Sequence, residues 1–334
     1  MQLSSVRELK LALAAKVLPQ IETNISTRSA FGMAAASLAR AAEPPPSVAL
    51  GVAPSEKGDG YKLAVRVQKR TFQGSKEVEL ITKQAKGEVD VRYVGRVAKR
   101  ATPWYQQRQR PLLIGCSVGH FKVTAGTLGC FVKSRSGEGV FVLSNNHVLA
   151  NENGGKRGDD IVQPGSLDGG TQPDDVVATL ADFVKLKKRG ANFVDCALGE
   201  LIKGIAFEPA KMKGNGKLAG LGDAFLDEGT EVSKLGRTTG LTKGRVTAFE
   251  MDNVVVNFGI GNLRFDNQVE IEGAGDSPFS DGGDSGSLIV GRDKRGVALL
   301  FAGSDQGGAN DQGLTYANPL REVLDALKVD LLLA

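Results

Sequence analysis

From Pro111 onward the chain is a succession of short apolar runs cut by glycine: GTLGCFVKSRSGEGVFVLS, KLGRTTGLTKGRVTAFEMDNVVVNFG and SGSLIVGRDKRGVALLFAG. Runs of this length, bounded by turn residues and lacking helical spacers, specify hairpins, and a series of hairpins closes as a sandwich or barrel more readily than as a βαβ sheet. The 43 glycines in 334 residues agree, being nearly double the usual share of ~7%. One late segment breaks the pattern. In PLREVLDALKV (Pro319 to Val329) the residues Leu320, Val323, Leu324 and Leu327 share one helical face, so a helix is expected to cap the last barrel. No run approaches the ~18 apolar residues of a membrane helix, and no fixed-period repeat is present.

The N-terminal third reads differently. Residues 1–46 suggest a helical segment: a first helix with Ser5 and Glu8 at capping-box spacing, ended by Pro19, and a second over Ser29 to Ala42, stopped by Pro44, Pro45 and Pro46. Residues 47–98 contain YKLAVRVQK and GEVDVRYVGRV, which alternate with period two and predict a small strand-rich α/β module. Residues 99–110, with turn formers, a basic excess and the single Trp104, are expected to link this module to the β-rich region. Residues 1–110 carry 19 Lys and Arg against 9 Asp and Glu, leaving 23 against 29 in the remainder. A basic segment can bind an anionic partner. Its charges are spread along strands without interleaved aromatics, so nucleic acid is an unexpected partner and docking of the basic third on its own acidic remainder is favoured. The N-terminus lacks the 7–15-residue apolar run of a secretion signal. Cys116, Cys130 and Cys196 have no metal or redox spacing, and a cytoplasmic location is expected.

Two histidines occur in the whole chain. His147 closes the run FVLSNNHVLA, Asp195 opens DCALGEL, and Ser285 lies between glycines in GGDSGSLIV. His, Asp and Ser in that order follow one known chain order of the catalytic triad. The chemistry accounts for the residue types: a serine hydroxyl attacks only when an imidazole takes its proton, and a carboxylate must hold the imidazole's tautomer. Gly282 and Gly283 would let the chain turn so that the amides of Gly283 and Ser285 converge on an oxyanion.

GDSGS at Gly283 to Ser287 resembles the nucleophile signature of the trypsin/chymotrypsin-like serine peptidases. LSNNHVLA is similar to their histidine segment, DCALGEL to their aspartate segment, and GRTTGLTKGRV from Gly236 to the hairpin opening the second barrel of bacterial members. The resemblance covers roughly residues 111 to 328. It implies a mainly β fold with two six-stranded antiparallel barrels of the chymotrypsin type, residues 111–225 carrying His147 and Asp195, and residues 226–334 carrying Ser285 and the C-terminal helix. The 47–98 module resembles one preceding such peptidases in some bacterial intracellular proteins.

What the resemblance implies for function is a serine endopeptidase acting through an acyl-enzyme on a protein or peptide substrate, with no metal and no cofactor. It places the specificity pocket at Phe279, Phe301, Ala302 and Gly303, without an aspartate at the base, so a strict Arg or Lys preference is not expected. Asp284 falls where zymogen-activated members pair with a freshly cut N-terminus, but RPLLIGCSVG lacks the usual start, and a cut before Ile114 is not expected. Val148 after His147 precludes the bridge from Cys130 that animal members form. The carboxylates Asp159, Asp160, Asp168, Asp174 and Asp175 lack EF-hand spacing and read as a solvated loop. His120 reads as structural. The alternative function is a catalytically silent binding or scaffold protein that recognises a peptide through the cleft or an anionic partner through its basic third.

Overall fold

The computed structural model describes residues 1–16, 48–55, 58, 60–95, 97, 101–223 and 227–333. The chain divides into two units, residues 1–101 and 102–334. The helix expected at Ser29 to Ala42 lies outside the described residues.

The first unit contains α1 (Leu3–Lys16), β1 (Val48–Pro54), β2 (Tyr61–Val67), α2 (Lys76–Gln84) and β3 (Val89–Tyr93). Because α1 begins at Leu3, Ser5 sits inside its first turn and is not the expected N-cap. The strands run in the order β1-β2-β3, antiparallel then parallel. A parallel pair needs a crossover, and α2 supplies it. Its start is encoded by Ser75, whose Oγ accepts from Val78 N at 3.3 Å, with Glu77 and Glu79 in the first turn. Val6, Leu13, Leu63, Val65, Val67, Val78 and Ile81 form the core, each full burial contributing roughly 1.5–3 kcal/mol.

In the second unit a half-barrel comes first: β4 (Ser117–His120), β5 (Gly126–Thr127), β6 (Cys130–Ser134), β7 (Val140–Ser144), the short helix α3 (Asn146–Leu149), β8 (Asp160–Val162), β9 (Val176–Phe183) and β10 (Ala197–Leu201). Its sheet order is β6-β7-β10-β9-β8-β4-β5, with a C-terminal strand, Val329–Leu331, added outside β6 as the eighth. The first of the two expected barrels thus takes the form of an eight-stranded half-barrel. The two ends of the order, β5 and β6, are nevertheless consecutive pieces of chain joined by Leu128 and Gly129. Leu128 N donates to Cys116 O and Gly129 N to Leu143 O, both at 2.9 Å, so the bent segment draws the sheet's ends together.

The second barrel comprises β11 (Glu231–Gly236), β12 (Gly240–Met251), β13 (Val254–Phe258), β14 (Gly261–Phe265), β15 (Gln268–Gly273), β16 (Leu288–Gly291), β17 (Arg295–Gly303) and β18 (Leu314–Pro319). Order β17-β16-β11-β12-β15-β18, with β18 pairing back to β17, closes six strands, while β13 and β14 project as a hairpin. Helix α4 (Leu320–Leu327) follows and buries Leu320, Val323, Leu324 and Leu327 as its periodicity predicts. These side chains join one core with Leu128 and Leu143 of the half-barrel and Leu288 and Leu299 of the closed barrel. Paired barrels of this kind are the chymotrypsin-like double-barrel fold.

Residues 102–110 group with the barrel unit. Trp104 packs against its core. Gln106 Nε2 donates to Arg237 O at 3.0 Å, and Arg110 Nη1 to Gln163 Oε1 at 2.6 Å. The three cysteines are free and buried. Burial pushes the Cys116 and Cys130 thiols up to about 12, and Cys196 is raised well above its ordinary value by burial first and by neighbouring Asp195 second. None therefore has the thiolate character of a nucleophile.

Candidate active site

Strand β7 ends at Ser144, and the chain turns through Asn145 into the four-residue helix that carries His147. A helix start leaves backbone N–H groups unpaired. The Asn145 side chain does not cap it. Asp195, just before β10, does so from across the sheet: its Oδ1 accepts from Asn146 N at 2.7 Å and His147 N at 3.3 Å. Its Oδ2 is thereby left for the imidazole, 2.5 Å from His147 Nδ1. One carboxylate thus fixes both the helix and the ring it presents.

Asp195 is fully buried, while the His147 side chain remains 20% exposed. Burial disfavours the imidazolium, but the Asp195 carboxylate, by its charge and hydrogen bond, outweighs this with a further contribution from Glu152, and the His147 pKa lies above its ordinary 6.5. The backbone around Asp195 is also tied down. Asn145 Nδ2 donates to Asp195 O at 2.7 Å, and Asp195 N donates to Asn318 Oδ1 at 2.9 Å. Asn318 Nδ2 in turn donates to Gln268 Oε1 at 2.6 Å, so β15 and β18 of the closed barrel help to hold a carboxylate of the half-barrel.

Ser285 lies in the loop that enters β16. Thr127 of β5 seats this loop: its N–H donates to Ser285 O at 2.8 Å and its hydroxyl to Gly283 O at 3.1 Å. A Cβ placed on Gly126 would fall 2.4 Å from Val148 Cγ2 and 3.1 Å from Ser285 O, so the residue after His147 and the Ser285 backbone both lie close against this glycine. The Ser285 hydroxyl has no hydrogen-bond partner among the described residues. Gly283 adopts φ +95°, a left-handed conformation that L side chains rarely take. Asp284 N and Ser287 N bond within the loop and Gly286 N donates to Leu300 O. The N–H groups of Gly283 and Ser285 stay without a partner among the described residues.

Behind the loop, Asp284 is fully buried with Lys234, also fully buried, whose Nζ is 2.9 Å from Asp284 Oδ2. Burial pulls the Lys234 ammonium's pKa down, against the opposing pull of Asp284. Asp284 also accepts from Thr238 N at 2.8 Å, Thr239 Oγ1 at 2.6 Å and Asp281 N at 3.1 Å. The position that resemblance assigns to a cut N-terminus is therefore filled by a lysine of the same chain, while Ile114 is itself buried.

The sequence-predicted acidic loop is dispersed, and Asp168 is not solvated. Its side chain is 6% exposed and takes a two-pronged ion pair from Arg237, at 2.7 and 2.6 Å, plus Ser117 Oγ at 2.6 Å. Asp159 pairs with His120 Nε2 at 3.0 Å, and Asp175 with Arg108 at 2.9 Å. His120 is fully buried and its Nδ1 accepts from Lys122 N, so both ring nitrogens are engaged away from Ser285.

A cleft of about 480 Å³ opens beside Ser285, lined by Ser280, Asp281, Ala302, Gly303, Asp305 and Asp311 among others. Of the four residues read as the specificity pocket, Ala302 and Gly303 line this cleft. Phe279 and Phe301 do not. Thr242 Oγ1 holds Phe279 O at 2.7 Å, and the ring turns into the closed-barrel core beside Val246 and Ile271. Phe301 packs with Phe258 and Phe265 in a separate cluster. Thr127, Lys234, Gln268 and Asn318 escaped the sequence reading, because nothing but their burial distinguishes them from ordinary strand residues.

No family model matches the chain, and no curated protein matches it. Solved structures to which it is similar include Thermobifida fusca protease A (16% identity, 66% of this chain and 98% of that one, TM-score 0.45). Others are Cellulomonas bogoriensis chymotrypsin (18%, 66% and 98%, 0.45) and Nocardiopsis protease (15%, 66% and 97%, 0.46).

Proposed function

We propose that the protein is a serine endopeptidase in which Ser285 attacks a peptide carbonyl, His147 takes its proton and returns it to the leaving amine, and Asp195 holds the imidazole. Water then cleaves the acyl-enzyme with His147 as base again. The observation that carries this reading is that the N–H groups of Gly283 and Ser285 and the Ser285 hydroxyl all lack a hydrogen-bond partner among the described residues. Gly283 and Ser285 are part-buried, and two backbone donors left open at a candidate nucleophile suit a tetrahedral oxyanion, where a single donor contributes roughly 2.7–4 kcal/mol. The three aspartates edging the cleft favour cationic or polar substrate side chains over acidic ones.

Incubation of the full chain with a peptide library, with new N-termini read by mass spectrometry, tests the proposal: Ser285-dependent cleavage is expected, and intact peptides would refute it. Because His147 acts as a base in its neutral form, and its pKa is raised, kcat/KM is expected to increase with pH through a midpoint above 6.5. A midpoint below 6.5 would contradict the assignment of His147.

The basic N-terminal third is proposed to contribute to the stability of the full chain. A fragment starting at Thr102 keeps every residue of the site and is expected to melt below the full chain. Equal melting temperatures would leave the third free for an external anionic partner.

A further inference from the structure

The turn after the histidine helix places three consecutive residues, Asn151, Glu152 and Asn153, at φ 47°, 51° and 71°. Non-glycine residues enter this region singly as a rule, so a run of three needs surrounding contacts to hold it. Asn153 supplies some of them. Its N donates to Asn146 Oδ1, and its Oδ1 accepts from Asn146 Nδ2 and Leu186 N, all at 2.9 Å.

Glu152, at the apex, reaches instead to the other barrel. Its two carboxylate oxygens each accept one backbone N–H from the turn between β13 and β14, Gly259 and Ile260, both at 3.0 Å. The residue before that turn is Phe258. Its ring, 8% exposed as a residue, stands edge-on to the His147 imidazole, 5.7 Å between centroids at 73°. Phe258 is backed by Phe265 and that by Phe301, at 5.8 and 4.6 Å.

We propose that Glu152 is a positioning residue for His147: by gripping the Gly259–Ile260 turn it seats Phe258 against the imidazole and keeps the ring aligned between Asp195 and Ser285. The consequence for catalysis rests on the serine peptidase reading. Asp195 fixes only Nδ1, leaving the far side of the ring to be confined by packing, and Phe258 provides that wall. Glu152 also stands as the second negative charge acting on His147, after Asp195. The helix segment from Asn145 to Leu149 bears no ionisable side chain besides His147, and the hairpin tip from Asn257 to Asn262 bears none.

The test uses the full chain with Glu152→Ala, Glu152→Gln and Phe258→Leu. Amide exchange at Gly259 and Ile260 reports the grip. The NMR titration of the imidazole, one of two in the protein, reports its electrostatics, and fluorophosphonate labelling reports alignment. Glu152→Ala is expected to speed exchange at both amides and slow labelling by on the order of 10–100-fold. Glu152→Gln retains the shape but not the charge, so it is expected to preserve most of the protection while lowering the His147 midpoint, since a lost negative charge favours neutral imidazole. Phe258→Leu is expected to slow labelling with the grip intact. Freed amides in Glu152→Ala with unchanged labelling and an unchanged His147 midpoint would reduce the contact to loop stability and overturn the proposal. Absence of labelling in the unaltered protein would refute the peptidase reading. The exchange and titration data would still decide the clamp, an unmoved midpoint in Glu152→Gln counting against it.

Discussion

Ser285→Ala and His147→Ala are each expected to lower kcat for peptide hydrolysis by on the order of 10⁶-fold, with a double variant little worse than either, because the two groups act as one unit. Both proteins should stay folded. Neither side chain holds the barrels: among the described residues the Ser285 hydroxyl is unbonded, and the His147 imidazole is hydrogen-bonded only to Asp195. Asp195 should behave differently. Asp195→Asn is expected to cost about 10⁴-fold in kcat through the wrong tautomer. Asp195→Ala strips the acceptor from the N–H groups of Asn146 and His147 as well, and should also lower the melting temperature. His120→Asn should leave kcat within a few-fold, its ring being committed to Asp159 and Lys122. Kinetics alongside circular-dichroism melting check these outcomes, and full activity in His147→Ala would overturn the assignment.

The second large effect is expected at Lys234, which touches no substrate. Removing one partner of a buried ion pair leaves an uncompensated charge and costs roughly 3–5 kcal/mol. Lys234→Met should therefore lower the melting temperature by about 10 °C and slow probe labelling as the loop from Asp281 to Ser287 loses its anchor. The Asp284 hydrogen bonds from Thr238, Thr239 and Asp281 remain but are not cations. Adding Asp284→Asn removes the stranded charge, so the double variant should recover much of the stability without recovering labelling. Recovery of both would show that the pair stabilises the barrel but does not shape the loop. Unchanged melting in Lys234→Met would show that the ammonium is not needed at all.

How much of the site was legible differs from residue to residue. His147, Asp195 and Ser285 stand out as candidates in the sequence because histidine is scarce and the short motifs follow one order; the fold brings His147 and Asp195 into contact, and Gly126 lies close to both Val148 and the Ser285 backbone. Phe279 could not be placed by counting back from Ser285, since the direction of its ring depends on the path of the loop and on Thr242 holding its carbonyl. Lys234 sits in KLGRTTG like any solvent-facing lysine, and only the fold shows it buried against Asp284. Asp168 looked solvated among other acids because its partner, Arg237, lies 69 positions away. Helix α2 lies between the two alternating runs that dominate residues 47–98, and only Ser75 and the two glutamates mark its start. Contacts between the barrels, such as Asn318 with Asp195 or Glu152 with Gly259, join residues more than 100 positions apart and leave no local pattern.

The central claim is that Ser285 is a hydroxyl activated by His147 and faced by two open amides. Reaction of the full chain with a fluorophosphonate, with mass spectrometry of the modified peptide, addresses all three parts in one measurement, since the reagent needs an activated serine and mimics the tetrahedral oxyanion. The account predicts a single adduct on Ser285 that forms readily near neutral pH and disappears in His147→Ala. An unmodified protein, an adduct on another serine, or undiminished labelling in His147→Ala would contradict it.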